Sequence, residues 1–187
     1  MKTAFKEWAA ICRALGEGEQ ILILRKGGIV EPGGAFRVEH PEFLLFPTYV
    51  HQSPDSVIPS ARHFLDEARA ETPKAGEIVL RHFATVTDSF HVQSPEALKR
   101  LRDYHVWSDA VVEERFHRWQ KSLHVLLVRV CALDQPKTNP SRDEYAGCKS
   151  WVDLEEDVPI EGAQPVIAEK EYQRRAGEIR FRLRATP

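Results

Sequence analysis

Four extended stretches limit what this chain can fold into: QILILRK at residues 20–26, EFLLFPTY at 42–49, EIVLRHFATV at 77–86 and HVLLVRVCAL at 124–133. Each has the length and apolar patterning of a β-strand. In the first, Leu22 and Leu24 point one way and Ile21 and Ile23 the other, so both faces call for burial and a central strand is expected. In the second, Pro47 pushes the strand end towards an edge or a bulge. In the third, Ile78, Leu80, His82, Ala84 and Val86 share a face opposite Val79, Arg81, Phe83 and Thr85, and FHV at 90–92 extends it past an interruption at Asp88 and Ser89. The fourth carries the strongest strand signal of all.

Helical spacing fills the gaps between them. Phe5, Trp8, Ala9, Cys12 and Leu15 predict a helix over 3–15, stopped by Gly16 and Gly18. Ala61, Phe64, Leu65 and Ala68 predict another over 60–70. Ser94 followed by Pro95 opens a short third helix, and Ser108 caps a fourth over 107–120 with Val112, Phe116 and Trp119 on one side. The polar residues after Asp134 predict an exposed connection, 151–154 a short strand, and 167–183 a segment of mixed character. Strands and helices interleave without an evenly spaced βαβ repeat. The expected class is therefore α+β, a small mixed or mainly antiparallel sheet with flanking helices, compatible with a barrel-like curl. No shift of composition marks a boundary, so residues 1–187 read as a single domain with a mobile last few residues.

With 42% apolar and 29% charged residues and a formal net charge of -2, nothing global attracts nucleic acid or an anionic membrane, and any basic surface has to be a local patch. The cysteines, Cys12, Cys131 and Cys148, are far apart and form no CxxC pair, which points to a reducing compartment. The first twenty residues lack the apolar core of a signal peptide, and VLLV at 125–128 is too short to span a bilayer. A cytoplasmic protein without a membrane partner is expected.

The polar candidates concentrate at strand ends. In RKGGIVEPGG at 25–34, Arg25 and Lys26 end a strand beside glycines whose exposed amides can hold an anion. The spacing matches neither a Walker loop nor a dinucleotide fingerprint, and a plain flexible hairpin loop is the favoured account of it. In HPEFLLFPTYVHQ at 40–52, His40 and His51 flank an apolar strand, and His40 shares strand parity with Glu42. A His/Glu pair can bind a metal, shuttle a proton or line a polar groove, but HExxH spacing is absent. Arg81, inside a strand, needs either solvent or a partner such as Glu42, Glu114 or a phosphate. In VVEERFHRWQK at 111–121, Glu113/His117 and Glu114/Arg118 are i,i+4 pairs; the first has the geometry to ligate a metal, but the surface-pair reading is favoured. Arg115, Arg118 and Lys121 with Trp119 make a local basic-aromatic group. Cys148 beside Lys149 is either an activated thiol or a core residue packed with Trp151.

Taken together, KEWAAICRALGEGEQILILRKGG, FRVEHPEFLLFPTYVHQ, GEIVLRHFA, WSDAVVEERF and YAGCKSWVDL resemble an uncharacterised bacterial family catalogued as domain of unknown function 1802, from Phe5 to about Tyr172. The resemblance implies one family domain along the chain and assigns no role to any residue.

Function is therefore carried by the residues alone. The favoured expectation is a module that binds an anion, a nucleotide or a nucleic acid in a groove lined by Arg25, Lys26, His51, Arg81 and Trp107. The alternative is a metal-dependent phosphodiester hydrolase or nuclease using Glu42, His40 or His51 with Glu114, with Lys26 or Arg81 on the phosphate. The third is a protein-interaction domain without catalysis. The sequence requires no cofactor, although the hydrolase would take a divalent metal, and it leaves the oligomeric state open.

Overall fold

A computed structural model describes residues 1–26, 38–147 and 149–184. In chain order the elements are β1 (Thr3–Trp8), α1 (Ala9–Gly16), β2 (Leu22–Arg25), β3 (Glu42–Thr48), α2 (Arg62–Ala70), β4 (Glu77–Val92), α3 (Pro95–Lys99), α4 (Asp109–His117), β5 (Leu123–Pro140), β6 (Trp151–Asp153), β7 (Gln164–Pro165) and α5 (Glu169–Arg184). They build an α+β fold around one seven-stranded mixed sheet of order β2-β5-β4-β3-β1-β6, with β7 added to β5. Among the described residues β1 and β3 are the pair that runs parallel, and the other ladders are antiparallel.

Both faces of the sheet are covered. Phe5 of β1 and Phe43 and Leu45 of β3 face a large core shared with α1, α2, α4 and α5. Ala4, Leu44 and Phe46, one residue out of phase, face a smaller core with Leu133, Tyr145, Val152, Leu154 and Val158. The two-residue period thus distributes consecutive apolar residues to two cores.

The expected helix over 3–15 is a strand followed by a helix. Ala4 and Phe5 are both fully buried on opposite faces, which one helical stripe cannot achieve, and the ladders to β3 and β6 claim the backbone through Trp8. The apolar spacing counted as helical belongs to α1 only from Ala9 onward. At its end the chain turns through Gly18, at φ 72°, the left-handed region where glycine costs least.

β2 is buried as expected, yet among the described residues it is an edge strand and not a central one. Ile21 to Leu24 are all buried because the large core and the α-helical layer enclose them. The carbonyls that face away from β5 are taken by side chains: Gln20 Nε2 donates to Leu22 O at 2.8 Å and Arg115 Nη1 to Leu24 O at 3.5 Å. Capping an edge in this way satisfies groups that a neighbouring strand would otherwise satisfy.

The polar run after Asp134 is not a loop. β5 continues to Pro140, with Ile78 opposite Asn139 and Leu80 opposite Lys137. Half of a strand that faces solvent carries polar residues, and its partner β4 supplies the pairing that apolar patterning does not announce. The interruption at Asp88 is a bulge between the Val86 and Asp88 pairings, so β4 runs unbroken for 16 residues. The mixed segment at 167–183 is α5, docked through Tyr172, Ala176 and Ile179; Thr87 Oγ1 lies 2.5 Å from Tyr172 Oη, and Arg180 forks onto Asp88 at 2.8 and 2.6 Å. Ser94 caps α3 by accepting from Ala97 N. Ser108 occupies the expected cap position of α4, but its hydroxyl makes no cap bond.

The sheet is open: among the described residues no ladder joins β2 to β6. Its two edges nevertheless approach, since Arg25 on β2 reaches Ser150, the residue before β6, at 2.7 Å. Among the described residues no helix is long and apolar enough to cross a membrane. The glycine-rich stretch at 27–34, Cys148 and the last three residues lie outside the described residues.

Candidate functional site

The gap between the two sheet edges gathers charge and aromatic surface that the core does not explain. β1 presents Phe5 and Glu7 towards the helical layer. Arg25, ending β2, lies over the Phe5 ring with its guanidinium carbon 4.8 Å from the centroid. It donates to Ser150 Oγ from Nε and Nη2 and, at 3.4 Å, to Lys6 O from Nη1, which leaves an N–H on each terminal nitrogen unengaged among the described residues. Lys6, on the opposite side of β1, fixes the turn that precedes β6 by donating to Tyr145 O at 2.7 Å and Gly147 O at 2.8 Å.

A second guanidinium comes from α4. Arg115 lies 3.8 Å from the centroid of the fully buried Trp107 and 5.8 Å from that of Trp8, and the two indoles meet edge to face at 4.9 Å. Stacking on indole suits a guanidinium that has left bulk water. Burial pulls the Arg115 pKa down, while Glu7 counteracts this and Arg25 and Arg118 add to it. Glu7 is the buried carboxylate of the group, 2% exposed. Its Oε1 accepts from Trp8 N at 2.8 Å, but its Oε2 is buried without a hydrogen-bond partner, as is Trp107 Nε1. Unmet buried polar atoms are costly, and both of these belong to the same aromatic and charged group.

The strand register extends the site sideways. Arg25 pairs with His124 of β5, and His124 with His91 of β4, which places the three side chains in a row on one face. The two imidazoles stack, 4.7 Å between centroids and 15° between planes. Burial holds His124 down to about 4, with His91 and Lys26 contributing, so this ring is neutral at physiological pH. Beyond the end of α4, Trp119 is 60% exposed at φ 60°, with Arg118 5.8 Å from its centroid. A non-glycine residue held at positive φ is uncommon and costs backbone energy.

The sequence candidates separate on this frame. Arg25 and Trp107 belong to the site. His40 borders it, edge to face on Trp151 at 5.1 Å, and Trp151 in turn packs on Phe5. Lys26 is nearby, but its ammonium donates to the carbonyls of Phe116, Gln120 and Ser122, holding the end of α4. Glu42 accepts from Thr85 Oγ1 at 3.3 Å, Glu114 pairs with Arg118, and His51 is exposed in a turn at φ 62°. Arg81 pairs with Glu71 at 3.0 Å beside a cavity of about 160 Å³ between the sheet, α1 and α2. Burial keeps three of the lining groups uncharged: His82 falls to about 4, and the Cys12 thiol and the Tyr49 hydroxyl are raised. Glu42, Arg81 and Glu114 thus meet three different partners, and His51 stands apart in its turn. Among the described residues no three His, Cys, Asp or Glu side chains are grouped to hold a metal ion.

The site residues absent from the sequence candidates are Glu7, Trp8, Ser150 and the stacked pair His91 and His124. The signal for the first two is KEW at residues 6–8, a charged and aromatic tip to a strand of the same kind as LRK at 24–26, concealed by its helical spacing. Arg115 is visible in sequence only as part of a surface patch, and its stacking on Trp107 follows from the fold.

A family model described as Domain of unknown function (DUF1802) matches residues 4–178. No curated protein matches the chain. Among solved structures, the crystal structure of ASCH from Zymomonas mobilis is similar with a TM-score of 0.46 and 11% identity, over 94% of this chain and 93% of that one. A serine-to-alanine mutant of that protein gives 0.47 and 11% over 94% of each chain, and a tyrosine-to-phenylalanine mutant 0.46 and 14% over 94% and 96%.

Proposed function

Since the chain belongs to this family, a domain of unknown function, we propose from its own residues that it binds nucleic acid, taking one nucleotide of a single strand at the gap between β2 and β6. The observation that carries this is the convergence of two anchored guanidiniums, Arg25 and Arg115, on stacked aromatic surface around one buried carboxylate. Phosphate recognition needs fixed cations with N–H groups to spare, and Arg25 has them. A base needs flat surface and an edge acceptor. The His91–His124 stack supplies the first and Glu7 Oε2 the second. Exposed Trp119 beside Arg118 supports a strand extending past the site, since an isolated nucleotide would have no use for it. The net charge of -2 makes this a local footprint of a few phosphates.

The test is a titration of tryptophan fluorescence with single-stranded RNA and DNA oligonucleotides and with mononucleotides, in low and moderate salt. Saturable quenching by an oligonucleotide that weakens with salt, with about tenfold loss of affinity in Arg25→Gln, is the expected result. Absence of saturable quenching by any of these in low salt, or equal affinity in Arg25→Gln, overturns the reading.

A further inference from the structure

A second cavity, of about 250 Å³, opens between α3, the turn Arg102–Tyr104 and α4. It shares no lining residue with the gap between β2 and β6. Its floor is apolar: Leu98, Val112 and Phe116 are all at least nine-tenths buried. One wall is His105, 5% exposed, whose Nδ1 meets no partner with hydrogen-bond geometry. Burial pushes His105 down to about 3, with Arg102 adding to this and Asp109 and the Trp107 backbone opposing it, so the ring is neutral. The fixed charges on the lining balance: Lys99 and Arg102 against Asp109 and Glu113. Arg102 is already committed to Asp109 at 3.1 Å and to the carbonyls of His105 and Trp107.

We propose that this cavity is a binding site for a small uncharged aromatic molecule that hydrogen-bonds the His105 imidazole. Size, charge and polarity each support the assignment. An apolar protein cavity of about 150 Å³ accommodates benzene, so 250 Å³ holds a ring with a polar substituent or a fused bicycle. The balanced lining gives no electrostatic gain to an anion or a cation, and both would lose hydration against the apolar floor. A neutral imidazole nitrogen buried without a partner carries a desolvation cost of its own, which a ligand N–H or O–H removes on binding. The pattern of an apolar chamber with one placed polar group is the usual construction of a small-molecule site.

The experiment uses the full chain, labelled with ¹⁵N at histidine and titrated with phenol, indole and, as the charged control, benzoate. Saturable binding of phenol or indole is expected, with the His105 Nδ1 resonance moving along the same isotherm and benzoate at least tenfold weaker. Val112→Phe, which fills the chamber, is expected to weaken binding at least tenfold while retaining a cooperative unfolding transition; Leu98→Phe serves the same purpose from α3 should the first variant fail to fold. The assignment is overturned by absence of binding at the solubility limit of both probes, by binding that leaves the Nδ1 resonance unmoved or survives both fillings, or by benzoate binding as well as phenol. None of these outcomes depends on nucleic-acid binding at the other site.

Discussion

His105 makes a quantitative claim about acid stability. Its pKa is about 3 in the folded protein and 6.5 in its ordinary state. Between those values the unfolded chain carries a proton that the native protein refuses. Stability is therefore fully present above the unfolded pKa and is lost as the pH falls towards the folded one. From about pH 7 to about pH 5 the unfolded ring becomes almost fully protonated while the native ring stays neutral. About 1.5 pKa units of that window count, at about 1.4 kcal/mol each, giving a loss of about 2 kcal/mol. His82 and His124, both held near 4, act in the same direction and are the same in parent and variant. His105→Gln keeps a polar group in the wall and removes the titration, so the difference between the two proteins isolates this residue. Urea unfolding at a series of pH values should show the stabilities of parent and variant converging, or crossing, by about 2 kcal/mol over the window. Parallel curves would mean that His105 titrates normally in the folded protein, and its description as a desolvated neutral wall of the α3–α4 cavity would be wrong.

Other consequences can be measured independently. Arg25→Gln should reduce the slope of log affinity against log salt for a single-stranded oligonucleotide by about 0.7, the share of one phosphate contact; an unchanged slope would place the phosphate elsewhere. Gly16→Ala should destabilise by about 1–3 kcal/mol, because the added Cβ would stand 2.3 Å from the His82 ring, and urea unfolding reads this directly. Asp88→Asn should cost about 1–2 kcal/mol in thermal or urea unfolding by breaking the fork from Arg180, the main cause of the lowered Asp88 pKa. In the parent, the stability from this pair lies above the ordinary carboxylate pKa of 3.8 and is lost as pH falls through the depressed one.

Much of the architecture is legible in the residues, and the misreadings share a cause. β3, β4 and β5 announce themselves because their apolar residues outnumber those any loop would carry, and Ser94-Pro95 marks α3 through local chemistry. What fails is whatever depends on a partner distant in sequence. Thr3 to Trp8 has helical spacing and becomes a strand because β3 and β6 claim its backbone. Ile21 to Leu24 is buried in the large core although β5 is its one partner strand among the described residues. Site residues follow the same division. Arg25 stands out because a charge at the tip of an apolar strand is unusual, whereas Glu42 and Arg81 stand out equally and find Thr85 and Glu71. Glu7 is ordinary in sequence; only the fold leaves its Oε2 without a donor.

The side chains that cover the edge of β2 left unpaired among the described residues also guard the protein against itself. With Gln20 on Leu22 O and Arg115 on Leu24 O, a second molecule finds no row of open carbonyls to pair with. Removing Arg115 uncovers part of that row in a strand composed of LILR, the kind of short apolar segment that recruits copies of itself. Substitution at Arg115 therefore produces a sticky protein as well as a weakened site. Its loss of binding should grow with protein concentration, whereas the loss in Arg25→Gln should not.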